Sequence, residues 1–157
     1  MIRLVPMTET EYQAYLESDI QRYAQEQVKA GNWHPSEALE KSRREHQQLL
    51  AGGLATPNQY IFSLQDEETG SKVGTIWFAV DDKKAQPSGF VYDFVIHDEF
   101  RRKGFGTQAL QALENKLKEL GVNKISLHVF GHNQAAKALY DKVGYKITGF
   151  LMSKELS

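Results

Sequence analysis

The sequence predicts one mixed α/β domain, in which an antiparallel sheet is extended by a parallel strand pair and helices cover both faces. Three features support this prediction. Apolar residues recur at helical spacing in the first third of the chain, alternate in the middle, and then follow a strand, helix, strand order. A length of 157 residues suffices for one hydrophobic core. We therefore expect a single domain over residues 1–157, with the parts 1–56, 59–130 and 131–157.

The N-terminal part predicts one strand and two helices. Residues 1–5 form the first strand, and Thr8 with Glu11 makes the capping box that begins a helix. The apolar side of this helix consists of Tyr12, Tyr15, Leu16, Ile20, Tyr23 and Val28. A break at 31–34 separates it from a second helix, which ends at the glycine pair 52–53.

The central part predicts a hairpin followed by a strand, helix, strand unit. Residues 59–65 and 72–80 are paired strands with a turn between them, and 90–96 continues the meander. The stripe of apolar residues in 106–120 predicts an amphipathic helix. Residues 124–130 then predict a strand parallel to 90–96, because such crossovers are normally parallel and right-handed.

The C-terminal part predicts a short helix and a final strand. Asn133 is the N-cap of the helix and Gly144 its end. Its apolar residues are Ala136, Leu139, Tyr140 and Val143. Residues 145–154 are expected to form the last strand of the sheet.

Charge and composition exclude several classes of protein. Nineteen basic residues against 20 acidic ones give a net charge of -1, so we expect no general attraction to nucleic acid or to a membrane. The absence of cysteine excludes disulfides, thiolate metal sites and a cysteine nucleophile. The start of the chain lacks a signal-peptide pattern, and the apolar run 76–80 is far shorter than the roughly 20 residues that cross a bilayer. We expect a cytoplasmic protein.

The segment 101–107, Arg-Arg-Lys-Gly-Phe-Gly-Thr, lies between a predicted strand and the amphipathic helix. A helix start presents free N–H groups and a positive dipole end, which bind phosphate. No Gly-Lys-Ser or Gly-Lys-Thr follows, and a third glycine is missing, so neither a P-loop nor a dinucleotide fingerprint is present. Two interpretations stay open: a site for another phosphate ligand, or a plain turn with solvated charges.

Two segments resemble the GNAT superfamily of acyl-CoA-dependent N-acetyltransferases. In that family, Arg or Gln, two residues, Gly, one residue, and Gly or Ala bind the CoA pyrophosphate, and Arg101, Gly104 and Gly106 match this pattern. Residues 133–145 are similar to the family's Asn-x-x-Ala-x-x-Leu-Tyr-x-Lys-x-Gly-Phe segment, with a final tyrosine. One departure is Asp98, where a proline is frequent.

The resemblance implies a GNAT-like fold with a splayed parallel strand pair at its centre, and transfer of an acetyl group from acetyl-CoA to an amine. Residues 1–56 would then hold the acceptor side, 59–130 the central sheet and the CoA-binding helix, and 131–157 the C-terminal helix and strand. No metal is implied. The implied cofactor-binding residues are Phe94, Val95, Ile96, Arg101, Arg102, Lys103, Gly104, Phe105, Gly106, Thr107 and Asn133.

Two residues are candidate catalysts. Tyr140, two helical turns after Asn133, is the candidate acid for the leaving thiolate, because a phenol stays protonated at neutral pH; it is otherwise a half-buried aromatic. Asp93, a carboxylate in an apolar strand, is a candidate base or a buried hydrogen-bonding residue. His128 and His132 face either the substrate or a polar edge, and their spacing at a strand end does not suit a metal pair.

The acceptor is expected to be a small-molecule or peptide amine. The N-terminal part is rich in aromatic and acidic residues, which form either a wall that attracts a cationic amine or a core with a solvated face. These residues are Tyr12, Tyr15, Tyr23, Trp33, His34, Glu9, Glu11, Glu17, Asp19 and Glu26. A non-catalytic acyl-CoA-binding regulator and an unrelated anion-binding domain are the alternatives. The sequence leaves the oligomeric state open, a homodimer included.

Overall fold

The computed structural model describes residues 1–156, which form a five-stranded sheet in the order β1-β2-β3-β4-β5. The first four strands pair antiparallel, and β5 runs parallel to β4. The predicted mixed sheet is therefore confirmed. The strands are β1 Ile2–Pro6, β2 Gln59–Asp66, β3 Lys72–Asp81, β4 Ser88–Ile96 and β5 Ile125–Leu127.

Helices α1 Glu9–Lys29 and α2 Pro35–Leu49 connect β1 to β2, α3 Phe105–Glu119 connects β4 to β5, and α4 Gln134–Lys142 follows β5. The predicted capping box is confirmed, since Thr8 and Glu11 each accept a hydrogen bond from the other's backbone N–H. No helix within residues 1–156 has both the length and the apolarity to cross a membrane.

The sheet has a separate core on each face, because neighbouring residues of a strand point to opposite sides. In β3, Trp77 packs beneath α1 and α2, whereas Ile76 and Phe78 pack against α3. The first core consists of Met7, Tyr12, Tyr15, Leu50, Ile61 and Trp77. The second is centred on Leu64, Val73, Ile76, Phe78, Ala109, Leu110, Leu113 and Leu117.

A bulge in β4 changes which side chains face α1. Trp77 pairs with Asp93, but the next residue of β3, Phe78, pairs with Val91, so Tyr92 is the extra residue. Asp93 consequently lies beside Trp77 on the α1 face of the sheet. The last residue pair between β4 and β5 is Val91 with Leu127. Within residues 1–156, the part of β4 beyond the bulge therefore pairs with β3 alone.

Two strand predictions differ from the structure. The predicted strand 124–130 is paired only over Ile125–Leu127, and the predicted strand 145–154 is wrong, since residues 145–156 form no helix or strand. A strand needs a neighbour for its N–H and C=O groups. Among the described residues, no strand pairs with 128–130 or with 145–154.

Candidate functional site

The end of β4 borders a gap in the sheet. After Val91, the side of β4 that faces β5 has no paired strand within residues 1–156, so Phe94, Val95 and Ile96 line the gap. On the opposite side β3 lies so near that a Cβ on Gly74 would come within 2.0 Å of the Val95 carbonyl oxygen. Residues 94–96, which the sequence predicts to bind the cofactor, thus have β3 closely packed on one side and, among the described residues, no paired strand on the other.

The turn 101–107 connects this gap to α3. A single 3-10 turn, Asp98–Phe100, precedes it, and the Arg101 Nε donates to the Ile96 carbonyl at 2.9 Å. Gly104 is the N-cap of α3 with a φ of 83°, a left-handed conformation that favours glycine, and Arg102 has a φ of 63°. Gly104 offers the helix no side-chain hydrogen bond. The first N–H groups of α3 therefore have no side-chain cap from Gly104. They directly follow three basic residues, 101–103, in the sequence.

Gly106 has a packing role that the sequence prediction did not include. A Cβ on Gly106 would lie 3.0 Å from a methyl group of Leu139, so the missing side chain lets α4 approach the start of α3. The cap of α4 agrees with the prediction, because the Asn133 side-chain oxygen accepts from the Ala136 N–H at 3.1 Å. The start of α3 consequently lies beside Leu139, in the second half of α4.

Tyr140 projects from α4 toward the end of β4. Its ring centroid is 6.5 Å from that of Phe94 and 5.4 Å from that of Tyr145. Burial raises the pKa of Tyr140 well above its ordinary value, with the charges of Tyr145 and Asp93 adding to the rise. The phenol is thus a proton donor at neutral pH. Burial, with Glu114, also raises the pKa of Tyr145 to about 12, and the Tyr145 hydroxyl is buried with no hydrogen-bond partner among the described residues.

Asp93 lies beneath α1, and its side chain is 15% exposed. Its Oδ2 accepts from the Tyr15 hydroxyl at 2.7 Å and from the Arg22 Nη2 at 2.7 Å. Burial and the nearby Asp19 raise the pKa of Asp93 to about 7, against the opposing effects of Arg22 and Tyr15. Both hydrogen bonds fall on Oδ2, so neither Tyr15 nor Arg22 donates to Oδ1.

The charged network extends from Asp93 into α2. Arg22 Nη2 also donates to Asp19 Oδ1 at 2.5 Å, and Asp19 Oδ2 lies 2.8 Å from His46 Nε2. The second ring nitrogen, Nδ1, lies 2.8 Å from the Ser42 carbonyl oxygen, which can only accept. Burial disfavours a charged His46 ring, but the bonds to Asp19 and Ser42 outweigh it and raise the pKa of His46. The ring therefore favours the imidazolium form.

Sequence reasoning missed Arg22 and His46 and assigned Asp19 to an acidic region. Asp19 is only 4% exposed, so it is no part of a solvated face. A signal was present: positions 12, 15, 19 and 22 follow helical spacing, which puts a carboxylate and a guanidinium on the apolar side of α1. Charged residues on such a side are seldom buried without a partner.

A second contact joins α1 to the segment after β5. His132 Nε2 lies 2.5 Å from Glu26 Oε2, and the His132 ring stacks on Phe130, whose centroid is 6.3 Å from that of Tyr23. His128 is exposed. Within residues 1–156 no group of three or more acidic or histidine side chains is arranged to hold a metal ion. Of the predicted aromatic residues, Tyr12 and Tyr15 belong to the core.

Comparison with known proteins agrees with this geometry. The sequence profile of the Acetyltransferase (GNAT) family matches residues 15–145. The uncharacterized N-acetyltransferases YycN and YdgE of Bacillus subtilis are 40% and 35% identical, with coverages of 99% and 98% of this chain and 99% and 97% of theirs. The crystal structure of YycN matches with a TM-score of 0.95 and 39% identity over 100% of this chain and 99% of that one.

A more distant likeness concerns the fold alone. The crystal structure of an acetyltransferase with acetyl-CoA from Clostridium acetobutylicum matches at 17% identity and a TM-score of 0.64, over 99% of this chain and 96% of that one. Fold and sequence together define the class of this protein, an α/β domain of the acetyltransferase type. The chain belongs to the GNAT acetyltransferase family.

Proposed function

We propose that this protein transfers an acetyl group from acetyl-CoA to a primary amine by direct attack within a ternary complex. One observation carries the proposal: pairing between β4 and β5 ends at Val91, next to the bulge that turns Asp93 toward α1. A gap, a carboxyl group that titrates near neutral pH and a helix start without a side-chain cap therefore follow one another along the chain. Family membership supports acetyl-CoA as the acyl donor.

The residues present fit the cofactor. The first N–H groups of α3, together with Arg101, Arg102 and Lys103, would hold the pyrophosphate, because a helix start combines free donors with positive potential. A Cβ added to Gly104 would have only the Gln108 side chain within 4 Å, at 4.0 Å, so there is room in front of this turn. The edge at 94–96 would hold the pantetheine arm and the acyl oxygen through backbone groups.

Asp93 and Tyr140, the two candidate catalysts, would each carry out one of the two proton transfers in the reaction. Acetyl-CoA supplies an activated thioester carbonyl. Asp93 takes the proton that the attacking amine releases, which requires the carboxylate form, and Tyr140 gives its proton to the departing thiolate sulfur. The C–N bond forms as the C–S bond breaks, and transfer of the proton from Asp93 back to Tyr140, through solvent, restores both groups.

The acceptor side lies between α1 and the segment after β5. Glu26, Tyr23 and Phe130 give this side a carboxylate and aromatic rings, which favours a cationic amine. An aminoglycoside acetyltransferase in complex with sisomicin, from an uncultured soil metagenomic sample, shares the fold at 15% identity and a TM-score of 0.59. We infer a small-molecule amine as the first acceptor class to test, with peptide amines as the second.

A thiol-release assay tests the proposal. The purified protein is incubated with acetyl-CoA and a panel of polyamines, aminoglycosides and peptides, and free CoA is measured. Amine-dependent release is expected. Calorimetric binding of acetyl-CoA without release from any amine would favour a non-catalytic acyl-CoA-binding regulator. No heat with either CoA or acetyl-CoA would reject both functions.

A further inference from the structure

The C-terminal segment, residues 146–156, exposes large apolar side chains. The exposed fractions are 52% for Ile147, 79% for Phe150, 94% for Leu151, 86% for Met152 and 87% for Leu156. Five such residues within eleven positions are unusual, since a monomeric protein rarely leaves a contiguous apolar patch in water. The segment has the composition of a surface that is covered by protein.

The backbone of this segment is also unpaired. Within residues 1–156, the last residue that takes part in a hydrogen bond is Tyr145, whose N–H donates to the Tyr140 carbonyl. A Cβ added to Gly149 would meet nothing within 4 Å. The alternation that predicts a strand over 145–154 is thus present in the sequence, while the neighbouring strand it needs is absent from the described chain.

The same molecule also has a strand edge that lacks a neighbouring strand. In the described part of the chain, β5 is the last strand of the sheet, and it pairs with β4 on one side only. Its predicted continuation, 128–130, is unpaired as well. An added strand would pair with this free edge of β5.

This course of the chain is shared with a relative. The TM-score of 0.95 with the YycN crystal structure extends over 100% of this chain. Such a score leaves little room for eleven residues placed elsewhere. The extended C-terminus is therefore a feature common to two chains that are 39% identical.

We propose that two copies of this chain exchange their C-terminal segments, with residues 146–156 of each copy adding as a strand to the free edge of β5 in the other. A second copy fits because each chain carries one unpaired strand and one unpaired edge, so a two-fold pair satisfies both at once. In an added strand, Phe150 and Met152 would face one side of the sheet and Leu151 the other, so each would lie beside the side chains of β5 on that face. The exchange also explains why 128–130 and 145–154 have strand-forming sequences without a partner in their own chain.

Sedimentation velocity on the full chain gives the first test. A dimer is expected for the natural sequence, and a monomer for the double variant Phe150→Lys and Leu151→Lys. The far-UV circular dichroism of the variant should equal that of the natural protein, except for the signal of the strand that residues 146–156 would no longer form. Leu39→Lys, which alters an apolar side chain that is 47% exposed on α2, is the matched control and should remain dimeric. A monomeric natural protein, or a dimer that persists in the double variant, would overturn the proposal.

Disulfide trapping gives the second test, because the chain has no cysteine of its own. Chains carrying Ser126→Cys are mixed with chains that carry one cysteine at a position from 147 to 153, and the mixture is oxidised. Covalent heterodimers are expected at alternating positions. In a chain that carries both cysteines, a disulfide within a single chain would show that the segment folds onto its own β5, and the exchange would be rejected.

Discussion

Arg22 lies between two carboxylates, with its Nη2 2.7 Å from Asp93 Oδ2 and 2.5 Å from Asp19 Oδ1. This contact links the candidate base to Asp19, whose other oxygen binds His46, so the environment of Asp93 depends on both N-terminal helices. Two carboxylates and two cations give a network whose charges balance when His46 is protonated. Within this network, burial and the neighbouring Asp19 raise the pKa of Asp93, while Arg22 and Tyr15 oppose the rise.

Asp93→Asn is expected to lower turnover by about 10² to 10⁴ while acetyl-CoA binding is retained, because an amide cannot accept the proton. In the natural protein the pKa of Asp93 is about 7, so kcat/KM should rise with pH through that value as the carboxylate forms. The measurement is the pH profile of thiol release. A profile with no rise between pH 6 and 8 would remove Asp93 as the base.

Tyr140→Phe is expected to lower kcat by about 10², the usual effect of one proton-transfer group, with little change in acetyl-CoA affinity. The ring and its contacts with Phe94 remain, so only the proton donor is lost. Steady-state kinetics and calorimetry measure the two quantities. Equal kcat in the variant would retire Tyr140 as the acid.

Tyr145→Phe should stabilise the fold by about 1 kcal/mol, because the buried Tyr145 hydroxyl has no hydrogen-bond partner among residues 1–156. Urea denaturation measures the free energy of unfolding. The same variant serves as the control for Tyr140→Phe, since it removes a neighbouring phenol that has no assigned part in the chemistry. A destabilised variant would mean that the hydroxyl has a partner.

Gly104→Asp should weaken acetyl-CoA binding by about tenfold or more, because it puts a negative charge where the pyrophosphate is proposed to bind. The matched control is Gly104→Asn, which has nearly the same shape, tolerates positive φ better than most residues and carries no charge. Both variants carry a side chain at the same left-handed position, so the difference between them reports the charge and not the strain. Calorimetry that finds equal affinities for the two variants would contradict a phosphate site at this turn.

His46→Gln should destabilise the protein by about 3 kcal/mol at pH 6, because it removes one of the two charged partners of the buried Asp19 and leaves only Arg22. The folded pKa of His46 is raised, so its stabilising effect is full below the unfolded pKa and is lost as pH rises through the folded one. The difference in unfolding free energy between natural protein and variant should therefore shrink at pH 9.

The control for His46→Gln is Arg44→Gln on the same helix. Arg44 forms an exposed pair with Glu40, with side chains 59% and 80% exposed, so its loss should change stability by no more than about 0.5 kcal/mol. If the two variants lower the free energy of unfolding by the same amount at pH 6, the ion pair of His46 stabilises the fold no more than an exposed pair does.

Local features of the fold could be predicted from the sequence. The capping box at Thr8, the α3 stripe and the cap at Asn133 are each settled by residues a few positions apart, so spacing alone identifies them. The two motifs that resemble the GNAT superfamily are also contiguous segments, and the family match confirms the assignment. The site residues drawn from them stay predictions.

The environment of Asp93 could not be predicted in this way. Tyr15 and Arg22 lie 78 and 71 positions from Asp93 in the sequence, and they meet it only because α1 packs on the sheet and the bulge turns Asp93 toward that helix. Gly106 could be predicted only in part. Its spacing matches a phosphate motif, but its contact with Leu139 depends on how α4 packs on α3.

The sequence by itself determined the periods, the helix ends and the family of this protein, because these depend on neighbouring residues. Tertiary structure alone decided the raised pKa of Asp93, the extent of the gap beside β4 and the unpaired state of residues 146–156. The physical reason is that burial, charge proximity and strand pairing are properties of groups brought together from distant parts of the chain.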